Sequence, residues 1–238
     1  MNNSVEAIPL LNLAIGFIPV VIVWLLVRGW GLPERQVLLA NGRMLLQLLL
    51  VGYVLNYIFA ADRGLIVVVV LAVMLLMASW IALRPLVHRD PRIYGTVLGS
   101  ILVGGVTTLL LVTQGVLRLT PWYEPHYMIP LAGMIFSNCM NSISLAAERF
   151  ESDKTSTDMD SACRSALNAA LIPQINALLA VGIVALPGMM TGQILSGVSP
   201  LIAAQYQIVV MCMIFGSAGM STACYLVLNR RRLNQMLS

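Results

Sequence analysis

Long apolar stretches separated by short polar segments dominate the pattern of this chain. Several stretches of about twenty residues contain no Asp, Glu, Lys or Arg, and the charged residues gather between them. A helix needs about 20 apolar residues to cross the hydrocarbon of a bilayer. The pattern therefore predicts an all-α, polytopic integral membrane protein, with residues 1–238 forming a single transmembrane domain.

The apolar stretches predict about seven transmembrane helices. The predicted spans are residues 7–27, 36–60, 64–83, 94–117, 127–147, 171–186 and 201–228. In the fourth span, Gly95 and Gly99 are four residues apart, as are Ser100 and Gly104, and such spacing lets two helices pack closely.

The basic residues give the orientation of these spans. All but two of the 14 Lys and Arg fall on one side of the predicted topology, and only Arg63 and Arg118 fall on the other. The majority are Arg28, Arg35 and Arg43 in or beside the first loop, then Arg84, Arg89, Arg92, Arg149, Lys154, Arg164, Arg230, Arg231 and Arg232. Because basic loops stay in the cytoplasm, the N-terminus is predicted outside and the C-terminus cytoplasmic.

Composition excludes several classes of protein. The chain is 59% hydrophobic and 10% charged, with a mean hydropathy of +0.87, whereas soluble domains have roughly a quarter of their residues charged. It contains no P-loop for ATP, and its spans lack the carboxylate pair, His cluster or Ser-His set of a hydrolase. We therefore expect no enzyme activity and no cofactor bound by this chain. We also expect no nucleic-acid partner, because the net charge of +4 comes from basic residues in short loops that set the topology. Neither the four cysteines nor the 14 methionines predict a definite metal site.

Polar residues enter the fifth and sixth predicted spans. In the fifth span these are Ser137, Asn138 and Asn141, and in the sixth Gln174 and Asn176 lie near the cytoplasmic mouth. Amides at membrane depth are costly unless they are hydrogen-bonded. They either bond to neighbouring helices or line a translocation path, and the sequence leaves both open.

A helix break is predicted after the sixth span. Residues 186–197 carry no charge and contain three glycines and one proline. Irregular backbone at membrane depth occurs where protein or a watery cavity satisfies it, and broken helices often flank transport sites. An outer hairpin on the membrane surface is the alternative. Under the transport interpretation the path also includes Pro187, Gly188, Met189, Thr191, Gly192 and Gln193.

The longest polar segment predicts a cytoplasmic amphipathic helix over residues 158–170. Its apolar positions recur at helical spacing, and Thr157 with Asp160 has the spacing of a capping box. The apolar face is mostly alanine, which suits docking onto protein better than lipid. We expect an ATPase subunit to push here, through Thr157, Asp160, Arg164 and Asn168.

Two segments resemble a known family. MIFSNCMNSISLAAERF (residues 134–150) and ALIPQINALLAVGIVALPGMMTGQILSGVSP (residues 170–200) are similar to the FetB/YbbM family. These are permease subunits of metal-related ABC transporters implicated in bacterial iron export, and they resemble plant membrane proteins of aluminium tolerance. The resemblance is specific over residues 128–232 and general, in span pattern, before that.

The resemblance implies a permease of the bacterial inner membrane that pairs with a separate cytoplasmic ATPase, where the ATP is bound. Two permease copies are expected to assemble with two ATPases. One departure from the family pattern concerns the cytoplasmic loop, which lacks a Glu-Ala-x-x-Leu-Gly-Ala-like stretch between Phe150 and Ala170. Either the helix at 158–171 couples in shortened form, or the chain acts as a non-energised channel, scaffold or regulatory subunit.

Overall fold

The chain folds almost entirely into helices. The computed structural model describes residues 8–60, 63–86, 90–154 and 157–237. The helices are α1 (Leu10–Ile15), α2 (Ile18–Gly29), α3 (Glu34–Ala60), α4 (Gly64–Ala82), α5 (Pro91–Ile101), α6 (Thr107–Leu110), α7 (Pro125–Asp153), α8 (Met159–Ala180), α9 (Gly188–Leu195) and α10 (Pro200–Leu237). By length and composition, six helical stretches among the described residues are able to cross a membrane. This confirms the predicted all-α polytopic membrane class.

The chain divides into two compact units, Met1–Ala60 and Ala61–Ser238. In the first unit, the stretch predicted as span 7–27 is broken into α1 and α2 around Gly16, whose N–H bonds to the Leu13 carbonyl at 3.1 Å. The turn into α3 uses Gly31 at φ +69°, a conformation that glycine adopts without strain. Because α3 begins at Glu34, Arg43 lies inside this helix, within the predicted span 36–60.

In the second unit, α5 and α6 belong to one helical stretch, Pro91–Val116, that contains two π-helical turns. These turns are Leu102–Val106 and Leu111–Val116. The first carries Gly104, where an added Cβ would lie 2.5 Å from the backbone N of Ser221 in α10. Gly104 therefore allows the close packing that the small-residue spacing predicts, whereas Gly95 and Gly99 have no neighbour within 4 Å of an added Cβ.

One end of the second unit gathers the basic residues. The side chain of Arg232 near the end of α10 pairs with Asp90 before α5 at 3.2 Å, and Arg230 pairs with Asp160 at the start of α8. Arg149 near the end of α7 donates to Ser165 of α8 at 2.9 Å. This basic end carries Arg84, Arg92, Arg149, Lys154, Arg164, Arg230, Arg231 and Arg232. It corresponds to the side predicted as cytoplasmic.

The chain between α7 and α10 returns to the opposite end of the unit. Both helices end at the basic end, so residues 154–199 must run back through the bundle before α10 can start. The return is made by α8, a turn at 181–187 and α9. The predicted cytoplasmic helix 158–170 and most of span 171–186 are thus one helix, because Pro173 lies inside α8 and does not start a new one.

Candidate functional site

An amide cluster joins α7 to α8 inside the second unit. The Nε2 of Gln174 donates to Asn138 Oδ1 at 3.2 Å and to Ser142 Oγ at 3.4 Å, and Asn138 Nδ2 donates to the Met134 carbonyl at 2.8 Å. Gln174 and Ser142 are buried, and Asn138 is half-buried. The structure therefore brings together two of the predicted path residues, Asn138 and Gln174, as direct hydrogen-bond partners.

The other polar residues of these helices point away from the cluster. Ser137 and Asn141 are exposed on α7, and Asn176 is exposed on α8. Ser137 Oγ bonds back to the Met134 carbonyl of its own helix at 3.2 Å. Asn138 and Asn141 differ by 300° around a helix, so they lie on adjacent but distinct faces. An exposed amide at membrane depth needs water, solute or another polypeptide beside it.

The helix break lies earlier than predicted. It starts at Val181, and Gly182 takes φ +82°. The Ala180 carbonyl accepts the N–H groups of Ile183, Val184 and Ala185 at 3.2, 2.8 and 3.1 Å. With these bonds closed inside the turn, the exposed side chains of Ile183 and Val184 can face an apolar environment. The sequence indicated a break, but its glycines and proline did not fix the residue at which α8 ends.

Most of the predicted break is helix α9. Pro187 stands at its N-cap, Gly188 and Gly192 are exposed, and Thr191 Oγ1 donates to the Pro187 carbonyl at 3.2 Å. Met189, Thr191 and Gln193 are half-buried. The Oε1 of Gln193 is buried without a hydrogen-bond partner.

The predicted coupling residues share one exposed face at the start of α8. Thr157, Asp160, Arg164 and Asn168 are all exposed, whereas Ala162, Ala166 and Ala170 on the inner face are fully buried. The alanine face packs against α7 and α10 of the same unit. The alanine face was predicted to dock onto protein, and in the structure that protein surface belongs to the same chain. The polar face remains available for another molecule.

The cap of α8 is Asp158, not Thr157. Asp158 Oδ2 accepts the N–H of Ser161 at 3.0 Å. Hydrogen bonds from the side chain and backbone of Ser161 hold the pKa of Asp158 below its ordinary value of 3.8. The sequence predicted Thr157 as the cap, and this is wrong because Asp158 is one position closer to the first helical turn.

Metal ligands do not gather in the described part of the chain. Residues 8–60, 63–86, 90–154 and 157–237 contain no group of three or more His, Cys, Asp or Glu placed to hold a metal ion. Arg43, which the sequence placed in or beside the first loop and did not offer as a site residue, lies within a membrane-length helix. The spacing of Gln36, Arg43 and Gln47 along the predicted second span was the signal that could have identified it.

One protein family and several known proteins match this chain over most of its length. The family described as "Uncharacterised protein family (UPF0014)" matches residues 9–159 and 153–234. The UPF0014 membrane protein slr1647 of Synechocystis is 38% identical over 79% of this chain and 78% of its own length. The probable iron export permease protein FetB of Escherichia coli is 31% identical over 81% of this chain and 80% of its own. The protein ALUMINUM SENSITIVE 3 of Arabidopsis thaliana is 33% identical, covering 81% and 76%.

No solved structure matches the chain. The two stretches that match the family overlap at residues 153–159, in the loop where the sequence departs from the FetB/YbbM pattern. Together, the family match, these relatives and the membrane-length helices place the chain in the UPF0014 family of membrane proteins.

Proposed function

We propose that this chain is the permease subunit of an ABC-type transporter that exports metal ions of the iron class, with ATP hydrolysed by a separate cytoplasmic subunit. The observation that carries the proposal is the two-sided start of α8. Its alanine face is buried in the bundle, and its polar face, with Arg164 and Asn168, is exposed at the basic end. The name of the Escherichia coli relative, a probable iron export permease, supports metal export.

The geometry supports a route from the ATPase to the path. Pro173 lies inside α8 and has no N–H to give to the carbonyl of Ala169, so the helix is weakened one residue before Gln174. A push on Thr157–Asn168 would bend α8 at this point. Bending separates Gln174 from Asn138 and frees both amides to contact a passing solute.

The proposed assembly contains two permease copies and two ATPase subunits in a bacterial inner membrane. Symmetric dimers are the commonest oligomers, and a membrane-embedded path between polypeptides would shelter the exposed amide of Asn141. The ATPases would contact the basic end, where Arg164 projects.

Affinity purification of the tagged full chain in mild detergent, with identification of the co-purifying proteins, tests the coupling role. We expect a P-loop ATPase in the eluate and about a tenfold weaker association with Arg164→Glu, which corresponds to about 1.4 kcal/mol. Arg231→Glu is the matched control, because Arg231 is also exposed at the basic end but belongs to α10. Equal loss in both variants would indicate a general charge effect and would count against α8.

The shortened loop favours a second candidate, a channel, scaffold or regulatory subunit that works without ATP. In the same purification this candidate predicts a homo-oligomer without an ATPase, and the amount of homo-oligomer recovered would be the same with Arg164→Glu.

A further inference from the structure

A polar stripe runs along helix α3 of the first unit. Gln36, Arg43 and Gln47 are separated by seven and four residues, so their side chains leave the helix within a sector of about 40°. All three are exposed. Leu49, whose side chain is 68% exposed, leaves the same helix about 140° away from the middle of the stripe.

The stripe reaches the depth of the hydrocarbon. Helix α3 has 27 residues, or about 40 Å, and Gln47 is close to its midpoint. Arg43 is four residues from Gln47, or about 6 Å along the axis, which places it inside a hydrocarbon layer of about 30 Å. An arginine facing lipid at such depth costs about 3 kcal/mol, and intramembrane ionisable residues usually line a solute pathway.

Arg43 has no acid beside it in the described part of this unit. Within residues 8–60 the acid is Glu34, which pairs with Arg28 at 3.7 Å. Arg28 also lies over the Trp24 ring, 5.7 Å from its centroid. Glu34 is therefore already paired, and the guanidinium of Arg43 has no other acid to pair with among the described residues of its own unit.

We infer that this stripe faces water at membrane depth and binds an oxyanion, a carboxylate or phosphate group carried by the transported species. A guanidinium offers two parallel N–H donors that match such a group, and the amide of Gln47 can add a third. The same charge repels a bare cation. The inference rests on the proposed function and specifies it: the metal crosses as a complex with an oxyanion ligand.

Thiol-reactive reagents that carry a positive or a negative charge test whether the stripe favours anions, and they do so without knowledge of the substrate. Gln47→Cys is made in the full chain with its four native cysteines replaced by alanine, and is treated in phosphatidylcholine proteoliposomes with sulfonate- and trimethylammonium-bearing methanethiosulfonates. The labelling rate of the cysteine with each reagent is divided by the rate at which the same reagent reacts with a free thiol in solution, so that the intrinsic reactivities of the two reagents cancel. We expect about a tenfold preference for the anionic reagent, removed by Arg43→Gln. Leu49→Cys, about 140° away around the helix, should not react.

If the cysteine-free chain fails to insert, labelling of residue 47 in the native background, followed by peptide mass spectrometry, gives the same measurement. Inorganic phosphate and citrate are the ligand probes, and either should slow labelling of Gln47→Cys. Protection that requires phosphatidylglycerol and is not given by phosphate or citrate would identify a lipid headgroup and overturn the assignment to a transported species.

Two further results would also overturn the inference. One is a Gln47→Cys side chain as inert as Leu49→Cys, which would mean that the stripe faces lipid. The other is equal reaction with both reagents, which would mean a watery path without anion selection. Because labelling needs no ATPase, these results remain distinct from failure to find the energising partner.

Discussion

At the scale of single residues, Gln174 differs in kind from the exposed asparagines of the same region. Its amide nitrogen bonds to two acceptors on α7, and the side chain is only 8% exposed. A buried amide with satisfied bonds can hold two helices together without touching a solute. Interhelical hydrogen bonds in membranes contribute about 0.6 kcal/mol on average, so this bond is weak enough to open during a transport cycle.

A double-mutant cycle measures this bond. Gln174→Leu and Asn138→Leu should each lower the free energy of unfolding in mixed micelles, with a coupling energy of about 0.6 kcal/mol. If the cluster also gates the path, both variants should lose more transport activity than their stability loss explains. A coupling energy of zero would mean that the bond does not form in the membrane-embedded protein.

The sequence predicted which residues are polar at membrane depth but not which neighbour each one meets. Helical spacing placed Asn138 beside the set of Ser137 and Asn141, yet Asn138 turns toward α8 and the other two are exposed. The difference depends on which helices pack against α7, and in the structure these are chiefly α4, α8 and α10. Periodicity gives relative angles within a helix and carries no information about its neighbours.

At the scale of elements, α8 combines two parts that the sequence predicts as separate. These parts are the amphipathic helix at 158–170 and the span at 171–186. Proline favours the first turn of a helix, so Pro173 agrees with a helix that starts at the second part. In the structure the helix continues through Pro173, with Ala166 and Ala170 before it and Gln174 after it all buried against neighbours. Tertiary packing thus overrides the local preference of proline.

The start of α8 depends on Asp158. Asp158→Ala should speed amide hydrogen exchange in the first turn of α8, because the N–H of Ser161 loses its acceptor, whereas Thr157→Ala should leave exchange unchanged. The folded-state pKa of Asp158 is lowered, so its contribution to stability is present above pH 3.8 and disappears as the pH falls through the folded-state value. Exchange measured by mass spectrometry at several pH values checks both statements. Equal effects of the two substitutions would restore Thr157 as a cap.

At the scale of the whole molecule, the distribution of charge is the feature that sequence predicts best. Among the described basic residues of the second unit, all except Arg63 and Arg118 lie at one end, and these two lie next to the opposite ends of their helices. This asymmetry sets the orientation of the helices during membrane insertion, because moving basic loops across the membrane is unfavourable. The six stretches found by composition and the return through α8 and α9 agree with seven crossings, a number that stays a prediction.

Reporter fusions test the orientation. A fluorescent protein joined after Arg232 should fluoresce, because we predict a cytoplasmic C-terminus, and alkaline phosphatase joined after Arg118 should be active outside the membrane. The reverse pattern would place the basic end outside. Inactive reporters at both sites would be checked by immunoblot for expression before any conclusion about topology.

Helix α10 has one more consequence, for the synthesis of the protein. It contacts α5, α7, α8 and α9, and its Arg230 and Arg232 reach Asp160 and Asp90 on elements that leave the ribosome much earlier. The centre of the second unit is therefore missing until α10 itself has been translated. Until then the earlier helices lack the surface that α10 covers, so they are exposed to membrane quality-control proteases for the time that synthesis of this 38-residue helix requires.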